Sequence, residues 1–262
     1  MSGWTLIAAA VAALVVAIAR RSQSLSRGGA IAALVLGVIC TAAGWSWAAV
    51  LVGFFVAASV VSRFRSERKE RRIADIVEKG GERDALQVLV NGGIFSAAAL
   101  GSLVHGSPVW VCIGAGAIAA SSADTWSTEI GVLSESLPRS IVTGRTMTPG
   151  ESGGVTWLGT IAGLGGALVI AIITILAGWG AVAALTAIMG GFTGCIVDSV
   201  LGGTLQARRW CDHCNRATER TIHGCGTTTR TAGGLPWLTN DTVNALSSAS
   251  GALIGLLCYL TW

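Results

Sequence analysis

Four carboxylates stand inside or beside long apolar stretches, where a charged group is costly and usually functional. Asp124 and Glu129 lie in SSADTWSTEIG, Asp198 in GGFTGCIVDSVLGG and Asp241 in NDTVN. At helical spacing Ser121, Asp124 and Thr128 share one face, while Thr125 and Glu129 share the next. Gly190, Gly194, Asp198 and Gly202 recur every four residues, a groove of small residues that holds one carboxylate. Asn240 and Asn244 stack one turn apart, with Asp241 and Ser248 nearby, and Asn91-Gly92-Gly93 interrupts another apolar stretch. Carboxylates with Asn, Ser and Thr neighbours form the hard oxygen set that Mg²⁺ prefers, above all when phosphate completes the shell. Asp124, Asp198 and Asp241 are therefore the expected Mg²⁺ ligands, with Glu129 a fourth catalytic carboxylate and Asn91, Ser121, Asn240 and Asn244 assisting. Each has a plainer role open to it: glycine faces pack helices closely, and Asp241 caps one.

Phosphate-binding groups lie in the same parts of the chain. Ser152-Gly153-Gly154-Val155-Thr156 precedes an apolar run, so free helix N–H groups are expected there. Arg145 and Thr146 come just before it, and Arg208 and Arg209 follow the Asp198 segment. This is no Walker loop: GxxxxGK[ST] is missing, and the two lysines, Lys69 and Lys79, lie elsewhere. A separate constellation, Cys211-x-x-Cys214 with His223-x-Cys225, offers four N/S ligands in fifteen residues and suits structural Zn²⁺. Cys40, Cys112, Cys195 and Cys258 lie in apolar runs and serve as small hydrophobes.

The elements that position these groups are membrane helices. Of the 262 residues 52% are hydrophobic and 12% charged, too few charges to coat a soluble domain of this size. Eight apolar runs follow in order: 4–19, 30–43, 45–62, 86–104, 109–126, 153–177, 179–205 and 243–262. Period-two alternation is missing, so the fold class is all-α, a polytopic integral membrane protein of about eight transmembrane helices. The first run lacks basic residues before it and is followed by Arg20-Arg21, so it reads as a retained span and not a cleaved leader.

Threading eight spans places loops 20–29, 63–85, 127–152 and 206–242 on one side, and they hold all 18 Lys and Arg residues. The positive-inside rule makes that side cytoplasmic, with both termini outside, in the cell membrane. Trp4, Trp45, Trp47, Trp110, Trp126, Trp157, Trp179, Trp210 and Trp262 fall near span ends, as an interfacial belt. The chain reads as one transmembrane domain, 1–262, with a cytoplasmic connector at 63–85 and a cytoplasmic Cys/His loop at 208–239. The connector's mixed charges suit a solvated helix stopped by Gly80-Gly81. It lacks aromatic interleaving beyond Phe64, so nucleic acid is not an expected partner.

The strings NGG, SSADTWSTEIG, PGESGGVTWLG, VDSVLGGTLQ and NDTVN, in this order and spacing, resemble the membrane family that contains transmembrane protein 19 and plant phytyl-phosphate kinase. The resemblance covers most of the chain from Asn91 on. It departs at Glu151-Ser152, where a Thr-Asn pair is expected. It implies an Mg²⁺-dependent kinase of the isoprenoid type, which moves a phosphoryl group from a nucleoside triphosphate such as CTP to a prenyl monophosphate in the bilayer. Asp124, Glu129, Asp198 and Asp241 would then be catalytic, with Arg145, Thr146, Ser152, Gly153, Gly154 and Arg208 on phosphate. A cytidylyltransferase acting on a lipid phosphate could use the same groups. A transporter is the alternative of a different class, since intramembrane acids and glycine-broken helices suit it too.

Overall fold

The computed structural model describes the backbone of residues 3–73 and 81–261, and side chains for 10–69 and 81–261. Among the described residues are eight apolar helices: α1 (Gly3–Arg21), α2 (Arg27–Ala43), α3 (Trp45–Arg63), α5 (Ala85–His105), α6 (Val109–Gly131), α7 (Trp157–Leu176), α8 (Gly180–Thr204) and α9 (Asn240–Thr261). A short charged helix, α4 (Ser66–Ile73), lies in the 63–85 connector. The expected stop at Gly80-Gly81 falls partly outside the described residues. Five helices (α3, α5, α7, α8 and α9) are long and apolar enough to cross a bilayer, and α2 is a shorter apolar helix.

Boundaries follow local chemistry. Ser26 caps α2 through its side chain, and Asp84 with Gln87 forms a reciprocal capping box on α5. Gly106, at φ 64°, closes α5 in the left-handed region. One boundary differs from expectation. Residues 153–155 are not helical: β1 (Arg139–Ser140) pairs antiparallel with β2 (Gly154–Val155), and α7 starts only at Trp157. The Thr156 hydroxyl accepts from Gly159 N at 3.0 Å, making Thr156 the N-cap. Gly153 sits at φ 82°, a turn conformation that L side chains avoid. The Cys/His loop likewise folds into a small antiparallel sheet, with β3 (Arg208–Cys211) between β4 (Arg216–Thr218) and β5 (Arg230–Gly233).

At the centre lies α6, buried without a break from Gly114 to Ala123. A Cβ on Gly116 would meet Gly251 O of α9 at 2.0 Å, and one on Gly190 of α8 would meet Gly116 Cα at 2.8 Å. One turn on, a Cβ on Gly194 would meet Ala120 Cβ at 2.4 Å. The order Gly116·Gly190, then Ala120·Gly194, shows that α6 and α8 run parallel in register. The pairs Gly116·Gly251 and Cys112·Gly255 show α9 running antiparallel to them. Hydroxyls seal the seam, with Ser247 Oγ donating to Gly194 O at 2.9 Å and Ser248 Oγ to Ala117 O at 3.2 Å.

One of the tryptophans expected in an interfacial belt is instead a core residue, with Trp179 half-buried against it. Trp47 is 3% exposed, with its ring 5.1 Å from Phe95 and 4.7 Å from Trp179. Gly114 makes room for it, since a Cβ there would lie 2.6 Å from the indole. Trp45 and Trp157 are exposed, as a belt requires, and the side chains of Trp4 and Trp262 lie outside the described residues.

Gly116→Val is expected to lower stability by roughly 3 kcal/mol or more through overpacking of the α6–α9 seam. Gly93→Ala, with no atom within 4 Å of the added Cβ, should leave stability unchanged or slightly raised. Thermal unfolding of both variants in detergent checks this contrast.

Candidate functional site

The α6–α8 register carries directly into chemistry. One turn beyond Ala120·Gly194, Asp124 and Asp198 face each other across the α6–α8 seam. Thr128 lies one turn further on the same face of α6. From α9, Asn244 Nδ2 donates to Asp198 Oδ2 at 3.1 Å and to Asn240 O at 3.3 Å when its amide is oriented to satisfy both groups. Three helices thus converge on one carboxylate pair. Among the described residues no Arg, Lys or His lies at ion-pair distance from either acid.

From α9, Asn244 reaches the pair, and Asp241 is buried in the first turn of the same helix. The cap comes from elsewhere, since Thr239 Oγ1 accepts from Thr242 N at 3.4 Å. Ser121 is buried on the Asp124 face, and its hydroxyl has no hydrogen-bond partner.

Glu129 is drawn aside. Lys69 of the connector is 5% exposed, with its ammonium on Glu129 Oε2 and, at 3.0 Å, on Val61 O. The connector was expected to be solvated, and this lysine turns inward instead. An ammonium held this deep needs both a carboxylate and carbonyls around it.

The glycine turn lies against the acid-bearing end of α8. A Cβ on Gly153 would collide with Gly203 Cα at 2.2 Å and approach Ser199 O at 3.0 Å. Ile141 N donates to Gly153 O and Gly154 N to Glu151 O, at 3.1 and 3.2 Å, so the turn is fixed by strand and turn bonds. It is not the start of a helix, and the free N–H groups expected there belong instead to the first turn of α7.

A residue missed in the sequence completes this corner. Glu219, just after β4, accepts from Ser152 Oγ and, at 2.8 Å, from Gln206 Nε2. Its charge also acts on Asp198. Glu219 sits in a hydrophilic loop without periodicity, flanked by Arg216 and Arg220, and nothing local marks it as pointing inward.

The other expected phosphate residues are dispersed. Arg145 and Thr146 are exposed on the turn after β1, and no hydrogen bond or ion pair joins them to the acids. Arg208 donates to Gly203 O and closes the carboxyl end of α8. Asn91 donates to Gln87 O at 2.9 Å and lines a separate apolar cavity, which Thr125 of α6 also borders.

The Cys/His constellation does assemble. The ligand atoms of Cys211, Cys214, His223 and Cys225 all lie within 4.8 Å of one another and could hold a metal ion. Cys211 and Cys225 sulfurs are 3.7 Å apart, and His223 Nδ1 is 3.3 Å from Cys225 Sγ. The Cys225 thiol is pulled down to about 5, chiefly by the Thr227 hydroxyl and backbone and by His223. Cys214 is pushed up to about 11, first by its hydrogen bond to Cys225. Thiols this crowded cannot all ionise without a cation between them.

The fold and these clusters define a helical integral membrane protein with a carboxylate pair at one end of its central bundle and a Cys/His sheet module beside it. The chain belongs to the family described as integral membrane protein DUF92, which matches residues 10–252. Protein PGR of Arabidopsis thaliana is 28% identical over 253 residues, covering 87% of this chain and 86% of the relative. An uncharacterized membrane protein of Methanocaldococcus jannaschii is 28% identical over 92% of this chain and 89% of its own length. One from Synechocystis is 28% identical over 86% and 78%. No solved structure matches. The family and its plant relative agree with the resemblance read from the motifs.

Proposed function

We propose that the protein is a membrane kinase that transfers a phosphoryl group from a nucleoside triphosphate, CTP by resemblance, to a prenyl monophosphate. The observation that carries this reading is the Asp124–Asp198 pair, held by Asn244 and flanked by the Ser152–Gly154 turn. Two facing carboxylates with no basic partner among the described residues must share a proton or a cation, and hard oxygen donors fit Mg²⁺. Asp124 and Asp198 would hold the ion, which supplies neutralisation of phosphate charge.

A lipid phosphate is already an anionic nucleophile at neutral pH, so no side chain need activate it. Its oxygen forms a bond to the γ-phosphorus while the bond to the β–γ bridging oxygen breaks, and the diphosphate leaves with the electron pair. The chain's part is positioning and charge. Asn244 orients Asp198. The Gly153 turn, free of side-chain bulk, packs directly on the end of α8, and the Ser152–Glu219 hydrogen bond holds it beside the acids.

The opposite end of the bundle favours an enzyme over a transporter. Trp47, Phe95 and Trp179 pack into the core there, with Ala115, Ile118 and Ala187 fully buried around them, so the acids are backed by a filled interior. The clustering of every Lys and Arg on the acid side supports a cytoplasmic site in the cell membrane.

The Cys/His module carries its own reading, a structural Zn²⁺ site. A tetrahedral zinc with bonds of about 2.3 Å to sulfur spaces those sulfurs about 3.8 Å apart, and Cys211 and Cys225 lie at 3.7 Å. His223 is buried with Nε2 unpartnered and Nδ1 toward the thiols. Such a site would lock the β3–β4 hairpin and hence Glu219 against Ser152.

Purified protein in detergent with Mg²⁺, γ-labelled CTP and geranylgeranyl monophosphate is expected to yield labelled lipid diphosphate. Asp198→Asn should lower the rate at least about a hundredfold with folding intact. Label reaching lipid only from base-labelled CTP would establish cytidylyl transfer instead, and none from either would remove the enzyme reading. Elemental analysis is expected to find one zinc per chain, lost in the Cys211→Ser/Cys214→Ser double variant. A metal-free wild type with the same unfolding temperature would discard the zinc assignment.

A further inference from the structure

Together with α5, the first three apolar helices line an apolar cleft. Its walls are apolar along nearly their whole length, from Val11 and Val15 of α1 and Leu36 of α2 to Leu51 and Phe55 of α3. From Ala58 to Trp45 the α3 wall runs fourteen residues, which is about 20 Å at the helical rise. The hydrocarbon core of a bilayer measures about 30 Å, so the chamber reaches two thirds of the way across.

Polar groups gather at one end. Arg83, Gln87 and Asn91 line it from α5 and the residue pair before it, and Thr125 of α6 borders it directly beside Asp124. The Arg83 guanidinium donates to Ser59 Oγ at 3.2 Å and Ser62 Oγ at 3.0 Å and lies over the Phe55 ring. Arg63 donates to Ser24 Oγ at 2.6 Å and to Ser22 O. Neither arginine has a carboxylate at ion-pair distance among the described residues. Glu129, whose charge reaches Arg83, is already engaged by Lys69. The half-buried Arg83 guanidinium, bonded to two hydroxyls, keeps donor capacity for an anion at this end of the cleft.

We propose that this chamber seats the lipid substrate: its hydrocarbon tail lies between α1, α2, α3 and α5, and its phosphate lies at the Arg83–Asn91 end, beside Thr125 and the acid pair. The assignment rests on the kinase reading for the identity of the head group, but the tail site stands on the cavity itself. A bilayer acyl chain would fill the same walls without regard to its head group. A phosphate head bonded by a guanidinium is favoured by the strength of charge-assisted hydrogen bonds, enough for about tenfold or more in occupancy over the alcohol.

The test uses the full chain in detergent and geranylgeranyl monophosphate carrying a diazirine at its tail end, beside the matching alcohol. After irradiation the adducts are mapped by peptide mass spectrometry. Adducts are expected on residues 33–52, about tenfold more with phosphate than with alcohol, and Arg83→Gln should erase that preference. Ala48→Trp, at the far end, should shift turnover toward shorter prenyl chains without changing the metal requirement. Equal labelling by alcohol and phosphate would overturn the proposal, as would adducts confined to α6–α9. Adducts as expected without any phosphoryl transfer would keep the tail chamber and remove the kinase reading. Transfer with adducts elsewhere would do the reverse.

Discussion

The structure depends on how closely the backbones of α6, α8 and α9 approach one another. Gly116, Gly190 and Gly251 meet where any Cβ would collide with a carbonyl or an α-carbon. In lipid there is no hydrophobic force to pull helices together, so small-residue contact and seam hydrogen bonds must supply the association. The same contact sets register. Because α6 and α8 run parallel with turns matched, a carboxylate eight residues after Gly116 must face one eight residues after Gly190. Asp124 and Asp198 have no other place to be. The antiparallel α9 then brings Asn244 to Asp198 by continuing the line of Gly251 and Ser247 toward the opposite end.

This core was legible in the sequence because it is periodic. The four-residue recurrence of Gly190, Gly194, Asp198 and Gly202 marks both the packing face and the acid upon it. Span breaks at Gly44, Gly106 and Gly178 were equally plain. Non-periodic contacts were not. Glu219 bonds a serine 67 positions away, and Lys69 reaches Glu129 across 60, each from a charged stretch that looks solvated. The start of α7 was misplaced because hydropathy begins to rise at Gly153. The Thr156 hydroxyl, a recognisable cap signal, gives the true boundary. Trp47 reads as an interfacial residue by position, and only the space above Gly114 draws it inward.

Two chambers divide the work in this account. One is polar and tightly packed, built by α6 to α9 with Glu219 delivered from the Cys/His sheet. The other is apolar and open, built by α1, α2, α3 and α5. They adjoin at α6, where Asp124 faces the first and Thr125 the second, so a phosphate at the junction reaches both. The Lys69–Glu129 pair spans the same region and ties the connector to the end of α6. Such a pair is costly to break from one side only, so it fixes the connector instead of leaving it free to swing.

The most direct test of the carboxylate pair uses Mn²⁺ as a paramagnetic substitute for Mg²⁺, titrated into purified protein with nucleotide and followed by electron paramagnetic resonance. The account predicts stoichiometric bound Mn²⁺ in the wild type, lost in Asp124→Asn/Asp198→Asn while the unfolding temperature is retained. Undiminished Mn²⁺ binding in that double variant would contradict it.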